Sequence, residues 1–243
     1  MPSPANTKLK VRYRLMDVDL VNPLLADETL LDEAISQAVD RYSRDRPREI
    51  VEDETGAGSG YFVLVGAGAV LASWVDGFSE ILSIDYPAGA ISATYAPTWL
   101  SLDDDVRYYR DATKTYLYLP NAQPSASETV RITYTARHTH TEVTDTIPTG
   151  DLDPLCDLAA HYACLYLATR AAGTSDSTIA ADGVNYRDAQ LRWKQQAAEW
   201  LARYQTALNL SETGDVAGAS ANADWDQRLE SGWNFLTHSP RRR

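Results

Sequence analysis

The side chains that could do chemistry in this sequence are few and poorly grouped. Cys156 and Cys164 are the two cysteines. Eight residues of one predicted helix hold them ~12 Å apart, too far for a disulfide, so they read as buried thiols in a reducing compartment. His138 and His140 stand two apart at the end of a predicted strand and would face one side, as a pair of zinc ligands does. Neither a His-x-x-Glu nor a Cys-x-x-Cys arrangement offers them a third ligand. His161 falls inside an apolar helix, where a hydrogen-bonded core histidine is the ordinary case. Asp103, Asp104 and Asp105 are consecutive, so their carboxylates diverge, and the spaced oxygens and glycine of a calcium loop are absent. Asp151 and Asp153 are accounted for by helix capping.

Gly56, Gly58 and Gly60 are followed by no Lys-Ser/Thr pair, so a phosphate loop would lack both its cation and its magnesium ligand. Val65-Gly66-Ala67-Gly68 lacks the third glycine of a dinucleotide-binding turn. Both read as hairpin tips. No Gly-x-Ser-x-Gly elbow occurs. A Ser-His-Asp or Cys-His grouping that meets only in the fold stays open. The expectation is therefore no catalytic residue, no metal and no cofactor.

Aromatic residues carry more information. Fourteen tyrosines stand against three phenylalanines, which places many rings with a polar end at water or at an interface. Tyr116 and Tyr118 are expected to line a sheet face. Near the C-terminus Trp225, Leu229, Trp233 and Leu236 recur at spacings of four, four and three, which puts them on one helical face beside Phe235. Arg241, Arg242 and Arg243 follow. The rings could pack on the chain's own body, but a small polar stretch from Ser211 to Ala223 precedes them. A linker, an aromatic anchor and a basic terminus describe an arm that reaches a partner.

The elements that must position these residues divide the chain. Residues 1–22 carry little pattern and read as an extended arm. A helix is predicted from Asp27 to Arg46, capped by Asp27, with Leu31, Ile35, Ala38 and Tyr42 as its apolar stripe and Pro47 as its stop. Short β-rich runs follow at 61–65, 70–75, 80–84, 106–109, 115–119 and 129–136, separated by Gly and Pro breakers. Residues 155–172 are apolar almost all round and predict a buried helix that Gly173 ends. A last helix from 184 to 210 carries Tyr186, Trp193, Ala197, Trp200, Tyr204 and Leu208 on one stripe. The fold class is α+β: a helical bundle of three main helices with an inserted antiparallel β domain. Its parts are an N-terminal arm at 1–22, the bundle at 23–48 and 148–210, the β domain at 49–147, and a linker and C-terminal arm at 211–243.

Composition narrows the partners. Hydrophobic residues make up 44% of the chain, enough for a packed core. The formal charge is -12, which opposes a surface built to grip phosphate. The longest apolar run, Leu158 to Ala168, is short of a membrane span and contains His161. Met1-Pro2-Ser3-Pro4 leads to Lys8-Leu9-Lys10-Val11-Arg12 without the apolar core of a signal peptide.

Several segments together resemble one family. They are Leu31-Asp32-Glu33-Ala34 leading to Asp40-Arg41-Tyr42-Ser43-Arg44-Asp45-Arg46-Pro47, then Ile132-Thr133-Tyr134-Thr135-Ala136-Arg137-His138, Ile147-Pro148 and Asp157-Leu158-Ala159-Ala160. Over residues 24–208 this order resembles the head–tail adaptor, or head-completion, proteins of tailed bacteriophages. The resemblance implies a helical bundle, a ring of twelve subunits docked on the portal protein, often through a C-terminal arm, and a channel that passes DNA to a downstream neck or tail protein. Such a protein is made in the bacterial cytoplasm and resides in the virion neck. By position, the arm formed by Trp225, Leu229, Trp233, Phe235, Leu236 and Arg241 to Arg243 is the portal contact. The rival readings are another virion binding module of the tail or baseplate, and an enzyme acting on carbohydrate with paired carboxylates.

The acidic balance makes a direct prediction: a gel-shift with duplex DNA at about 0.1 M salt, where screening acts over ~10 Å, is expected to show no sub-micromolar complex.

Overall fold

The computed structural model describes residues 4–17, 19, 23–25, 28–89, 96–141, 143–173 and 186–210. Its helices are α1 (Pro4–Arg14), α2 (Glu28–Asp45), α3 (Leu152–Gly173) and α4 (Tyr186–Ala207). Between α2 and α3 lie β1 (Arg48–Thr55), β2 (Tyr61–Val65), β3 (Ile81–Asp85), β4 (Arg107–Arg110), β5 (Thr115–Tyr118) and β6 (Thr129–Ala136).

The bundle is organised by α3. Leu155, Cys156, Leu158, Ala159, Ala160, Ala163 and Cys164 are fully buried, and the alanines let neighbouring helices approach closely. Asp153 in its first turn and Arg170 in its last suit the helix dipole. From α2, Leu31, Ala34, Ile35, Ala38 and Tyr42 are buried in the same core, on the stripe that their spacing predicts. From α4, Ala197, Tyr204 and Leu208 are buried, with Trp193 and Trp200 packed at the margin. The Tyr204 hydroxyl donates to Asp45 at 2.7 Å, and Arg41 reaches the same carboxylate at 2.9 Å. Both cysteines are free and buried. Burial pushes the Cys156 thiol up to about 11 and the Cys164 thiol to about 12, so both stay protonated and inert.

Among the described residues the bundle has four helices rather than three, because part of the stretch expected as an extended arm is α1. Val11 and Leu15 enter the core. Much of the remaining attachment is ionic: Lys8 pairs with Asp32 at 2.7 Å, Lys10 with Asp153 at 2.8 Å, and Arg14 with Asp157. Beyond α1, Arg12 and Asp17 form a buried pair at 2.7 Å, and Asp17 also accepts the Leu24 N–H at 2.6 Å. Asp27, the predicted cap of α2, lies outside the described residues.

The strands form two antiparallel three-stranded sheets, ordered β1-β6-β3 and β2-β5-β4. They share one core, in which Phe62, Leu64, Ile84, Leu117, Leu119, Val130, Ile132 and Tyr134 are buried. One expected strand is absent and one that was not expected is present. Residues 70–75 are not a strand: Gly66 and Gly68 turn the chain at φ +108° and +85°, and Leu71 and Trp74 then pack on the sheets. Conversely, β1 is a strand that the charged run Arg-Glu-Ile-Val-Glu-Asp-Glu-Thr conceals. It pairs with all of β6, Arg48 opposite Ala136 through Thr55 opposite Thr129.

Replacing Leu158, which is fully buried at the bundle centre, by Ala is expected to cost about 2–5 kcal/mol, measured by urea unfolding of the whole chain.

Candidate functional site

The histidines expected to share a strand face do not, because β6 ends at Ala136. The His138 imidazole lies between two main-chain carbonyls, Nε2 3.0 Å from Arg46 O and Nδ1 3.0 Å from Thr146 O. Thr146 Oγ1 is 3.2 Å from Nδ1. A neutral ring satisfies this network if Nε2–H donates to Arg46 and the Thr146 hydroxyl donates to Nδ1. Burial, the largest influence, holds the His138 pKa below its usual value against the opposing pull of the two carbonyls. Tyr42 packs on the ring with centroids 5.0 Å apart, and its hydroxyl donates to Asp151 at 2.6 Å. Arg46 reaches the same carboxylate at 2.7 Å. Ser43 Oγ accepts the His138 N–H at 3.0 Å. This cluster is the seam between bundle and β unit.

His140 is placed quite differently. Thr7 Oγ1 is 2.9 Å from its Nε2, and Asp145 Oδ1 is 3.2 Å from its Nδ1. The order Thr–His–Asp has the outline of a nucleophile triad. However, Thr7 is 3% exposed and belongs to the helix that packs on α3, so a substrate has no approach to its oxygen. The grouping instead ties α1 to the turn before α3. His140 and Asp145 face each other across a local bridge; only the docking of α1 brings Thr7 to them.

The remaining candidates resolve as structural groups. His161 Nδ1 lies 2.8 Å from Ala197 O, a tie between α3 and α4. Asp105 accepts from Asn121 at 2.8 Å and from Ser101 N–H at 3.1 Å; those bonds, Asn121 first, hold its carboxyl below the usual range. A side chain at Gly56 or Gly60 would strike main-chain carbonyls of Pro124 or Leu119, so these glycines serve close packing. Among the described residues no group of three or more His, Cys, Asp or Glu could hold a metal ion, and no helix is long and apolar enough to cross a membrane. A cleft of about 340 Å3 at the seam is lined by Arg44, Pro47, Phe78, Glu80, Thr135 and Arg137. It holds one carboxylate, so the carboxylate pair of a glycosidase is absent from it.

What the described surface does present is aromatic. On the outer face of β2-β5-β4, Tyr61 stacks on Tyr118 at 4.4 Å, and Tyr116 and Tyr109 complete the cluster with centroids 6.0 to 6.3 Å away. Tyr116 and Tyr118 thus line a sheet face as expected. Tyr61, Tyr108 and Tyr109 are each about half exposed. Such rings are anchors of the kind protein interfaces use. The predicted arm residues Trp225, Leu229, Trp233, Phe235, Leu236, Arg241, Arg242 and Arg243 lie outside the described residues.

No curated protein matches the chain. Solved chains described as "Virion of native gene transfer agent (GTA) particle", "Neck of empty GTA particle computed with C6 symmetry" and "Neck of native GTA particle computed with C12 symmetry" are similar to it at 15%, 16% and 17% identity. Their TM-scores are 0.28, 0.26 and 0.26, and each alignment covers 80% of this chain and 92% of the other. The family described as SU10 adaptor protein matches residues 8–226.

The His138 seam generates a pH prediction. An unfolded histidine takes up a proton near pH ~6.5, while the folded seam resists it. Stability is therefore present above that pH and falls as pH drops toward the lowered folded value. His138→Gln should flatten this dependence between about pH 7.5 and 5.5, read from urea midpoints of both proteins.

Proposed function

The chain belongs to the SU10 adaptor protein family, and we propose that it is a structural protein of the phage neck, a ring-forming adaptor that docks on the portal and carries the DNA channel toward the tail. The observation that carries this reading is the family match over residues 8–226, which takes in both the bundle and the β unit. The chemistry agrees with it. Histidines and carboxylates that could have served catalysis are spent on joining α1, α2, α3 and the β unit.

In this reading the protein resides in the virion at the head–tail interface, as a closed ring of twelve copies. Its partners are the portal protein on one side and a downstream neck or tail protein on the other. The net charge of -12 gives the channel a weakly repulsive wall, which lets DNA pass without being held. Portal contact falls to the arm from Asp224 to Arg243. Two tryptophans, a phenylalanine and two leucines there supply apolar area at roughly 25 cal/mol per Å2, enough to offset the ordering of a tethered segment. The tether raises the arm's local concentration once a neighbour has docked.

Truncation after Leu210 retains the four described helices and both described sheets, so the shortened protein is expected to fold. It should fail to attach to portal-bearing heads in a co-sedimentation assay. Trp225→Ala with Trp233→Ala should do nearly the same, and removal of Arg241, Arg242 and Arg243 should do less, since exposed ion pairs are weak. Normal decoration of heads by the truncated protein would move portal docking from the arm to the bundle. Microscopy of intact particles showing no copies at the neck would end the adaptor reading itself.

A further inference from the structure

Each three-stranded sheet has two edge strands. β3 is covered by the Leu100 N–H on Ile84 O and β2 by the Val70 N–H on Val63 O, whereas β1 and β4, of opposite charge, take no such main-chain bond among the described residues. In the order β1-β6-β3, β1 pairs with β6 alone; in the order β2-β5-β4, β4 pairs with β5 alone. An unpaired edge presents a row of main-chain donors and acceptors to another chain. β1 reads Arg48-Glu-Ile-Val-Glu-Asp-Glu-Thr55 and β4 reads Arg107-Tyr-Tyr-Arg110. Glu49 and Val51 are exposed on the first, and all four residues are exposed on the second. The acidic edge is under-neutralised: Asp53 is paired with Arg131, but Glu54 has its pKa raised by burial and then by Glu52 and Asp53. On the basic edge Arg110 pairs with Asp76. The Arg107 guanidinium donates to the carbonyls of Asp103 and Val106; its charge is felt by Asp105, but among the described residues it forms no salt bridge.

The edges also point in opposite directions. β4 lies over β3, since the Tyr108 oxygen takes a hydrogen bond from the Ile81 backbone. β3 and β1 occupy opposite ends of their sheet. An acidic edge on one flank and a basic, tyrosine-flanked edge on the other cannot meet within one molecule. They can meet between copies, head to tail, in the heterologous geometry that closes a ring.

We propose that the basic β4 edge of one copy docks on the acidic β1 edge of the next, with Tyr109 and its neighbours buried at the centre of the contact. The proposal rests on the ring reading above and names the surface that holds the ring together. The charge pairing sets the register and orientation of the approach, while the tyrosines supply the area that surface ion pairs alone do not.

Two experiments test it on full-length protein in assembled particles. First, Arg107→Glu with Arg110→Glu should reduce the neck-bound fraction at least tenfold, as should Glu49→Arg with Glu54→Arg. Particles given both variants together should regain copies at the neck, because reversed edges again attract. Second, a mixture of Val51→Cys and Tyr109→Cys chains treated with a short bis-maleimide should give a covalent dimer of one chain of each kind, which neither variant gives alone. The native thiols are buried and should not react. The cysteine test stands even if a charge-reversed chain fails to fold. Rings seen at the neck without the covalent dimer, or charge-reversed chains that fold and still assemble normally, overturn this interface and leave the ring intact. Necks without rings sink the ring reading, and this interface with it.

Discussion

Burial of α3 is the constraint on which the rest depends. Its small residues, Ala159, Ala160 and Ala163, admit other helices at close range, while Leu155, Leu158 and Leu167 fill the space between them. A helix so apolar cannot sit alone in water; α1, α2 and α4 each exist as packed helices because they cover part of it. α2 and α4 do so through apolar stripes. α1 does so with little apolar area, Val11 and Leu15, and compensates with charge. Exposed ion pairs are individually weak, but here Lys8, Lys10 and Arg14 converge on α2 and α3 around a small apolar contact. The Thr7–His140 bond then fixes its near end.

The β unit is tied to this bundle by polar contacts rather than by a continuous apolar core. The two hydrophobic clusters are separate, and the seam between them is held by His138, Ser43, Arg46, Thr146 and Asp151. Hydrogen bonds are directional where apolar contact is not. A polar seam therefore fixes the angle of the β unit on the bundle.

Much of this was legible from spacing, and the failures have physical causes. α2 could be read from Leu31, Ile35, Ala38 and Tyr42, and β6 from its alternation, because each buries one clear face. α1 could not, since much of its hold on the bundle is ionic and its partners lie far away in sequence. β1 was hidden because it is an edge strand: Glu52 and Glu54 occupy the core-side phase but sit at the margin, where a carboxylate still reaches water. The run at 70–75 misled for the opposite reason. Leu71 and Trp74 are apolar because they pack on the sheets from a turn, where β alternation has no meaning. His138 and His140 looked like a pair only while the strand was imagined to continue through them.

The cations show how charge is used in such a body. α1 carries Lys8, Lys10, Arg12 and Arg14 within eleven residues, a density that in sequence alone suits a basic patch for nucleic acid. In the fold each is paired with a carboxylate: Asp32, Asp153, Asp17 and Asp157. Arg41, Arg46 and Arg131 are likewise paired with Asp45, Asp151 and Asp53. Apart from Arg41, whose partner lies on its own helix, and Arg12, whose partner follows close in sequence, these basic residues join separate elements of the chain. A phosphate backbone meeting this surface would have to compete for cations already held by better-placed carboxylates, at a net charge that repels it. Arg107 is instead bonded to main-chain carbonyls at an open strand edge beside four clustered tyrosines, where a neighbouring acidic strand could add a carboxylate partner and main-chain pairing.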